Sequence, residues 1–294
     1  MMPTDNHSAK VPVAVVMLSL NEAHNMDAVC CNVAGWAQEV FLVDSRSADD
    51  TVDIALRHGV HVVQRPFRGF GDQWNFALEQ LPITAPWTMK LDPDERLDDA
   101  LKIAIAKAIG SGTCDGLEVT RRLWFMGRPL PVRQRLLRLW RTGTCRFSDV
   151  TVNEHPIVSG RISPVTGELE HYDSPDLAHW LDKQNRYSSA EAIAMASASP
   201  LAEQARWRGT PLQRRMWLKK YFYRVPCRYW LLFLYHYLAL GAWRAGRVGL
   251  AWSRLRCEVY RMTEYKVREI FLRGRLPVQC AHGVGDADPR VAQY

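Results

Sequence analysis

Asp92 and Asp94, in the segment WTMKLDPDERL at residues 87–97, are the first side chains whose type and spacing could do chemistry. Two carboxylates one residue apart, at the end of an extended apolar run, offer hard oxygen ligands, and Pro93 restricts the backbone between them. Such a pair suits Mg²⁺ or Mn²⁺, which take few carboxylates and complete their octahedra with water and phosphate oxygens. By itself Asp-x-Asp is a weak signal, because most such pairs are solvated loop charges.

The elements that must position this pair give it context. Residues 11–20, VPVAVVMLSL, form an unbroken apolar, β-branched run, as expected of a strand buried on both faces of a parallel sheet. A helix is expected over residues 24–37, a second strand over 40–43, a helix over 49–58 and a third strand over 60–63. The loop FRGFG leads into a helix over 72–81, and residues 87–91 form the fourth strand. This alternation predicts a doubly wound α/β sheet whose ligands bind outside the carboxyl ends of the strands. Asn21 and Glu22, Asp44, and Asp92 with Asp94 all fall at such ends, although Asp44 also suits a simple polar turn cap.

A helix over 98–109 precedes a less regular half. Strands are expected over 116–122 and 135–141, joined by an arginine-rich loop. Asp149, Glu154 and His155 follow in FSDVTVNEHPIV, then His171, then a helix over 175–198 expected to serve packing alone.

The net charge of +7 is concentrated: residues 206–275 hold 17 Lys and Arg against three acidic residues, so the rest of the chain is net acidic. Five of the 11 Trp and seven of the 10 Tyr lie in the same stretch. Val248, Trp252, Leu255, Val259 and Met262 recur at helical spacing, so an amphipathic helix is expected there, lying in an anionic membrane interface or packing on the catalytic body. No run is long and apolar enough to span a bilayer, and the first residues carry no apolar stretch fit for export. Seven cysteines without a CxxC pair suggest reduced thiols. The expected organisation is a flexible start at 1–10, a catalytic domain at 11–205, basic aromatic helices at 206–275 and a flexible tail at 276–294. The expected location is the cytoplasmic membrane's inner face.

The ordered motifs SLNEAHN, LVDSRSADDT, FRGFGDQWNFAL and KLDPDERL together resemble the inverting GT-A-fold glycosyltransferases, family 2 type, nearest to bacterial lipopolysaccharide-core β-glucosyltransferases. The resemblance implies a Rossmann-like, mostly parallel sheet with helices on both faces, a UDP-sugar donor, Mg²⁺ or Mn²⁺ as cofactor, and a glycolipid or core-oligosaccharide acceptor. It implies that Ser19, Asn21, Glu22 and Asp44 line the nucleoside pocket, that Gly69, Phe70, Gly71 and Asn75 close it, and that Asp92 and Asp94 hold the diphosphate through the metal. Pro93 departs from the small residue this family more often has there. Inversion requires a general base on the acceptor side. Glu154 matches that place, with Asp149 as the alternative, and a salt bridge to a nearby arginine is the competing role for Glu154. His171 is a third candidate metal ligand, or a packing histidine. Arg121, Arg122, Arg128 and Arg135 are candidate contacts for an anionic acceptor.

Two other classes compete. Nucleotidyltransfer would use similar carboxylates but calls for a glycine-rich basic loop after the first strand, which SLNEAHN lacks. A nucleic-acid module would explain the basic tail, but YWLLFLYHYLAL suits lipid better than phosphate, so no nucleic-acid partner is expected.

Overall fold

The computed structural model describes residues 10–147, 155–197 and 204–274. Its core is an eight-stranded α/β sheet in the order β3-β2-β1-β4-β7-β6-β10-β5. The first four strands are β1 (Val11–Ser19), β2 (Ala37–Asp44), β3 (His61–Gln64) and β4 (Trp87–Lys90), all mutually parallel. Helices α1 (Ala23–Val33), α2 (Thr51–Arg57) and α3 (Phe70–Gln80) connect them. The unbroken run in β1 is explained directly: Val13, Val15 and Met17 enter one core cluster and Ala14 and Val16 the other, so both faces are covered.

The second half departs from simple winding. Strand β5 (Glu95–Leu97) pairs with β10 (Ile162–His171) at the far edge, after which α4 (Asp99–Ser111) packs below. Strands β6 (Gly116–Phe125) and β7 (Arg128–Arg141) form a long hairpin, and β7 runs antiparallel to β4 as well. The expected arginine-rich loop is therefore continuous strand. Its turn is only Met126 and Gly127, both at positive φ (49° and 69°), and Pro129 and Pro131 lie before Leu139, where β4 does not yet pair with β7. Strands β8 (Cys145–Phe147) and β9 (Pro156–Val158) form a separate small ladder.

Helix α5 (Leu177–Ala196) leads to the basic appendage: α6 (Pro211–Tyr221), α7 (Arg228–Leu234) and α8 (Gly246–Arg273). A third core cluster joins Phe125, Leu130, Val132 and Trp180 of the body to Ala242 and Trp252 of the appendage. The stripe of Val248, Trp252, Leu255 and Val259 is thus turned onto the body rather than toward lipid. Gly249 makes this approach possible, since a Cβ there would lie 1.8 Å from the Ala242 carbonyl oxygen. Among the described residues no helix is long and apolar enough to cross a membrane, and all six described cysteines are unpaired.

Candidate active site

Because β5 pairs with β10 rather than with β4, the acidic turn between β4 and β5 runs over the ends of β7, β6 and β10. Its backbone is pinned from both sides. Glu95 N donates to the Asp92 carbonyl at 2.9 Å, and Asp92 N to Glu95 Oε2 at 3.1 Å. Arg96 donates to the carbonyls of Pro93, Glu95 and Asn25, and Tyr172 N donates to the Asp94 carbonyl at 2.8 Å.

The turn sends its carboxylates in different directions. Asp92 Oδ2 faces β7, accepting from Arg138 Nη2 at 2.8 Å. Asp94, 7% exposed, faces β10 and α5, with Oδ2 3.2 Å from His171 Nε2 and 3.4 Å from Lys183 Nζ. Glu95 is fully buried and is bound by Arg138, with Arg121 Nη1 at 3.5 Å. Burial opposes ionisation of Asp92, but Arg138 and Lys90 prevail and hold it at about 2. Asp94 is likewise lowered, His171 and Lys183 outweighing burial, whereas burial wins at Glu95 and raises it. Burial would strip the proton from His171, yet Asp94 raises it above the ordinary histidine value.

Asp94, His171 and Asp173 place one donor atom each within 4.8 Å of one another. Two carboxylates and an imidazole suit Mn²⁺ or Mg²⁺. The Asp94 Oδ1 and His171 Nδ1 atoms are buried without a hydrogen-bond partner among the described residues, as unspent ligand capacity would be. This grouping contains Asp94 and His171 of the expected set and adds Asp173, while the Asp92 carboxylate is directed to Arg138 in the same turn.

Arg138 gives no sequence signal of this role, being one arginine in RLLRLWR. The β6–β7 pairing passes from Leu117↔Leu139 to Glu118↔Leu137, so Arg138 is the extra residue of a bulge, aimed into the acidic turn. Lys183 is the second missed residue, because α5 was expected only to pack. Its Nζ also lies 3.1 Å from Asp173 Oδ1 and 3.2 Å from the Asp173 carbonyl.

The β1–β2 end is equally ordered. Asp44 is fully buried and accepts from Ser19 Oγ (2.8 Å), Ser47 N (2.9 Å), Ser47 Oγ and Gln64 Nε2 (2.9 Å). Both its oxygens are therefore engaged within the chain, and Asp44 shapes this end rather than projecting from it. Asn21 sits at φ 56°, a strained position for a non-glycine residue, held by Ser47 Oγ and by Ala48 N. Glu22 N donates to Thr51 Oγ1 at 2.8 Å. Gly69, at φ 130°, starts α3, and Phe70 meets Phe67 edge-on while Gly71 is buried. The Asn75 amide clamps both backbone groups of Phe147, at 3.1 and 2.8 Å.

Of the four arginines expected to meet an acceptor, Arg122 is spent on Glu168 and Glu170, and Arg121 bridges Glu95 and Gln134. Arg128 lies exposed beside the hairpin turn, and Arg135 is exposed on the opposite face of β7 from Gln134. Asp149 and Glu154 lie outside the described residues.

An α/β sheet of this order, with acidic groups gathered beyond its strand ends, defines the GT-A class. Residues 14–162 match the family model "Glycosyl transferase family 2", and the chain belongs to that family. It is 28% identical over 252 residues to the lipopolysaccharide core biosynthesis glycosyltransferase LpsC of Rhizobium meliloti, covering 82% of this chain and 86% of that protein. It is 25% identical to the uncharacterized glycosyltransferase RP128 of Rickettsia prowazekii, over 61% of this chain and 66% of that protein. The fold is shared with the mannosyltransferase PcManGT of Pyrobaculum calidifontis, solved with GDP-Man and Mn²⁺, at TM-score 0.52 and 15% identity, over 89% of this chain and 88% of that one.

Proposed function

We propose that this protein is an inverting, divalent-metal-dependent hexosyltransferase that moves glucose from a UDP-sugar to a glycolipid or lipopolysaccharide-core acceptor at an anionic membrane surface. The observation that carries the reading is the grouping of buried Asp94 with half-buried His171 and Asp173 beyond the strand ends. The relative LpsC, named for lipopolysaccharide core biosynthesis, supports the acceptor class.

In this reading Asp94, His171 and Asp173 hold Mg²⁺ or Mn²⁺, and Asp92, the more exposed carboxylate of the turn, contacts the donor. A divalent ion held by these residues would supply positive charge to the leaving diphosphate. Arg138 keeps Asp92 ionised and oriented. Ser19, Asn21, Glu22 and Asp44 shape the nucleoside end, with Gly69, Phe70 and Gly71 beside it. Glu154, or Asp149 in its place, accepts the proton of the attacking hydroxyl. The Asn75 clamp on Phe147 fixes the described end of the segment that carries both.

The catalytic body occupies residues 11–205 and the appendage residues 206–275. The appendage supplies the membrane contact through α7 and the turn after it, where Trp230, Leu231, Leu234, Tyr235 and Leu238 are exposed along one ridge. Anionic lipid attracts the arginines around it by about 1 kcal/mol per basic residue.

The test is a donor panel of UDP, GDP, ADP and CMP sugars with a lipid-extracted acceptor, scored for product and its anomeric configuration. Inverted product from UDP-glucose is expected. Turnover of GDP-mannose alone would overturn the donor assignment, and release of pyrophosphate would favour nucleotidyltransfer.

A further inference from the structure

Among the described residues, Lys183 forms ion pairs with two members of the candidate metal set. Its ammonium lies between Asp94 Oδ2 (3.4 Å) and Asp173 Oδ1 (3.1 Å), and also meets the Asp173 carbonyl at 3.2 Å. Its side chain is 15% exposed. The carboxylates it joins are those that would hold the divalent ion, so ammonium and metal compete for the same two carboxylates. Two neighbouring cations of total charge +3 on two carboxylates are electrostatically unfavourable until an anion arrives.

The helix that delivers Lys183 is held firmly. Its amino end is capped by Asp176, which accepts from His179 N at 2.8 Å. Just beyond Lys183, Arg256 of α8 donates to Gln184 at 3.3 Å, and Lys266 of α8 donates to acceptors on Asn185, Ser188 and Ser189. With the helix fixed, only the flexible four-carbon stem can move the charge. Arg138 differs in this respect: its planar guanidinium is committed to Asp92 and Glu95 on the other side of the turn.

We propose that Lys183 is a placeholder cation: it holds Asp94 and Asp173 together before metal binds, and swings onto the donor's diphosphate once the metal has taken those carboxylates. This rests on the glycosyltransferase reading above. It makes α5 part of the donor site and gives the diphosphate a ligand besides the metal. The exchange conserves pairing, because the ammonium leaves carboxylates that the metal has neutralised and meets phosphate oxygens that need a second positive charge.

The experiment is Mn²⁺ binding to the full chain, followed by UDP binding at saturating Mn²⁺, for the wild type and Lys183→Gln. The variant is expected to bind Mn²⁺ about fivefold more tightly, because the competitor is gone, and UDP about tenfold more weakly, the loss typical of one hydrogen bond to a charged group. A merely structural lysine would not move these two affinities in opposite directions. Unchanged or weaker Mn²⁺ binding, or unchanged UDP binding, would overturn the proposal.

A second measurement needs no variant. Amine-reactive labelling of wild-type Lys183, read by peptide mass spectrometry, should rise on adding Mn²⁺ and fall again on adding UDP, and labelling indifferent to both ligands counts against the exchange. If the wild type bound Mn²⁺ and UDP but the lysine effects were absent, the inference alone would fall. If it bound neither Mn²⁺ nor any nucleoside diphosphate, the glycosyltransferase reading would fall with it.

Discussion

Without the Arg138 guanidinium, Asp92 and Glu95 would share one end of the acidic turn without their common partner, leaving only Arg121, 3.5 Å from Glu95, and Lys90 near Asp92. Glu95 is fully buried and Arg138 is 4% exposed, so neither charge could recover water. Arg138→Met is therefore expected to destabilise the fold by about 3 to 5 kcal/mol, the usual consequence of orphaning a buried charge, as measured by chemical denaturation. A loss below about 1 kcal/mol would show that Glu95 relaxes to a neutral, satisfied state. At this scale the sequence was half legible. Asp92 and Asp94 stood out because strand ends converge on one crevice. Asp173 and Lys183 did not, since nothing in the local pattern says that β10 and α5 end beside that turn. Arg138 was hidden for a different reason, because a bulge breaks the alternation by which a strand residue's face is read.

Elements were legible where hydrophobic period and burial agreed. Strand β1 reads as buried on both faces because both its faces do enter cores, and α4 announces itself with the Asp98 cap, which accepts from Leu101 N at 2.6 Å, and Gly112 at φ 64°. The β6–β7 hairpin was legible over 116–122 and 135–141, but its distal part reads as a loop because Pro129 and Pro131 lie where β7 has no β4 neighbour. The appendage carries a pH-dependent element of its own. His236 is 6% exposed and packs against Trp252 at 5.2 Å, and burial, aided by Arg256, lowers its pKa to about 4 from the ordinary 6.5. The unfolded chain takes up this proton at higher pH than the folded one. The stability contributed by the neutral ring is thus complete above about pH 6.5 and is lost as pH falls toward 4. His236→Phe should flatten that acid limb by up to about 3 kcal/mol, measured as unfolding free energy between these pH values. An unchanged acid limb would place the sensitivity elsewhere.

Across the whole molecule, the composition boundary near residue 206 marks a real change of architecture, but not a detached module. Trp252 and Ala242 complete a core begun by the hairpin and α5, and Glu264 accepts from Arg228 and Tyr229 to tie α7 onto α8. The apolar stripe of α8 is consumed by this packing. The apolar side chains left exposed nearby are Trp230, Leu231, Leu234, Tyr235 and Leu238, the ridge that the proposed function turns to lipid. Replacing Trp230, Leu234 and Tyr235 together with Ser should cut partition onto anionic vesicles by about tenfold or more while leaving the melting temperature nearly unchanged. Equal flotation of wild type and variant would show that the ridge is not the anchor. Periodicity left open whether the α8 stripe met lipid or the body, because it shows that a face is apolar without saying what covers it; the stripe packs on the body.

The proposed activity depends on a working metal at the turn between β4 and β5. The most direct measurement is nucleotide release from UDP-glucose as Mn²⁺ or Mg²⁺ is titrated, in wild type and in Asp94→Asn, with circular dichroism confirming that both are folded. Saturable metal activation in the wild type and a loss of about a hundredfold or more in the variant, the scale of removing a transition-state electrostatic contact, are expected. Metal-independent release of equal rate from both proteins would contradict the assignment of Asp94, His171 and Asp173.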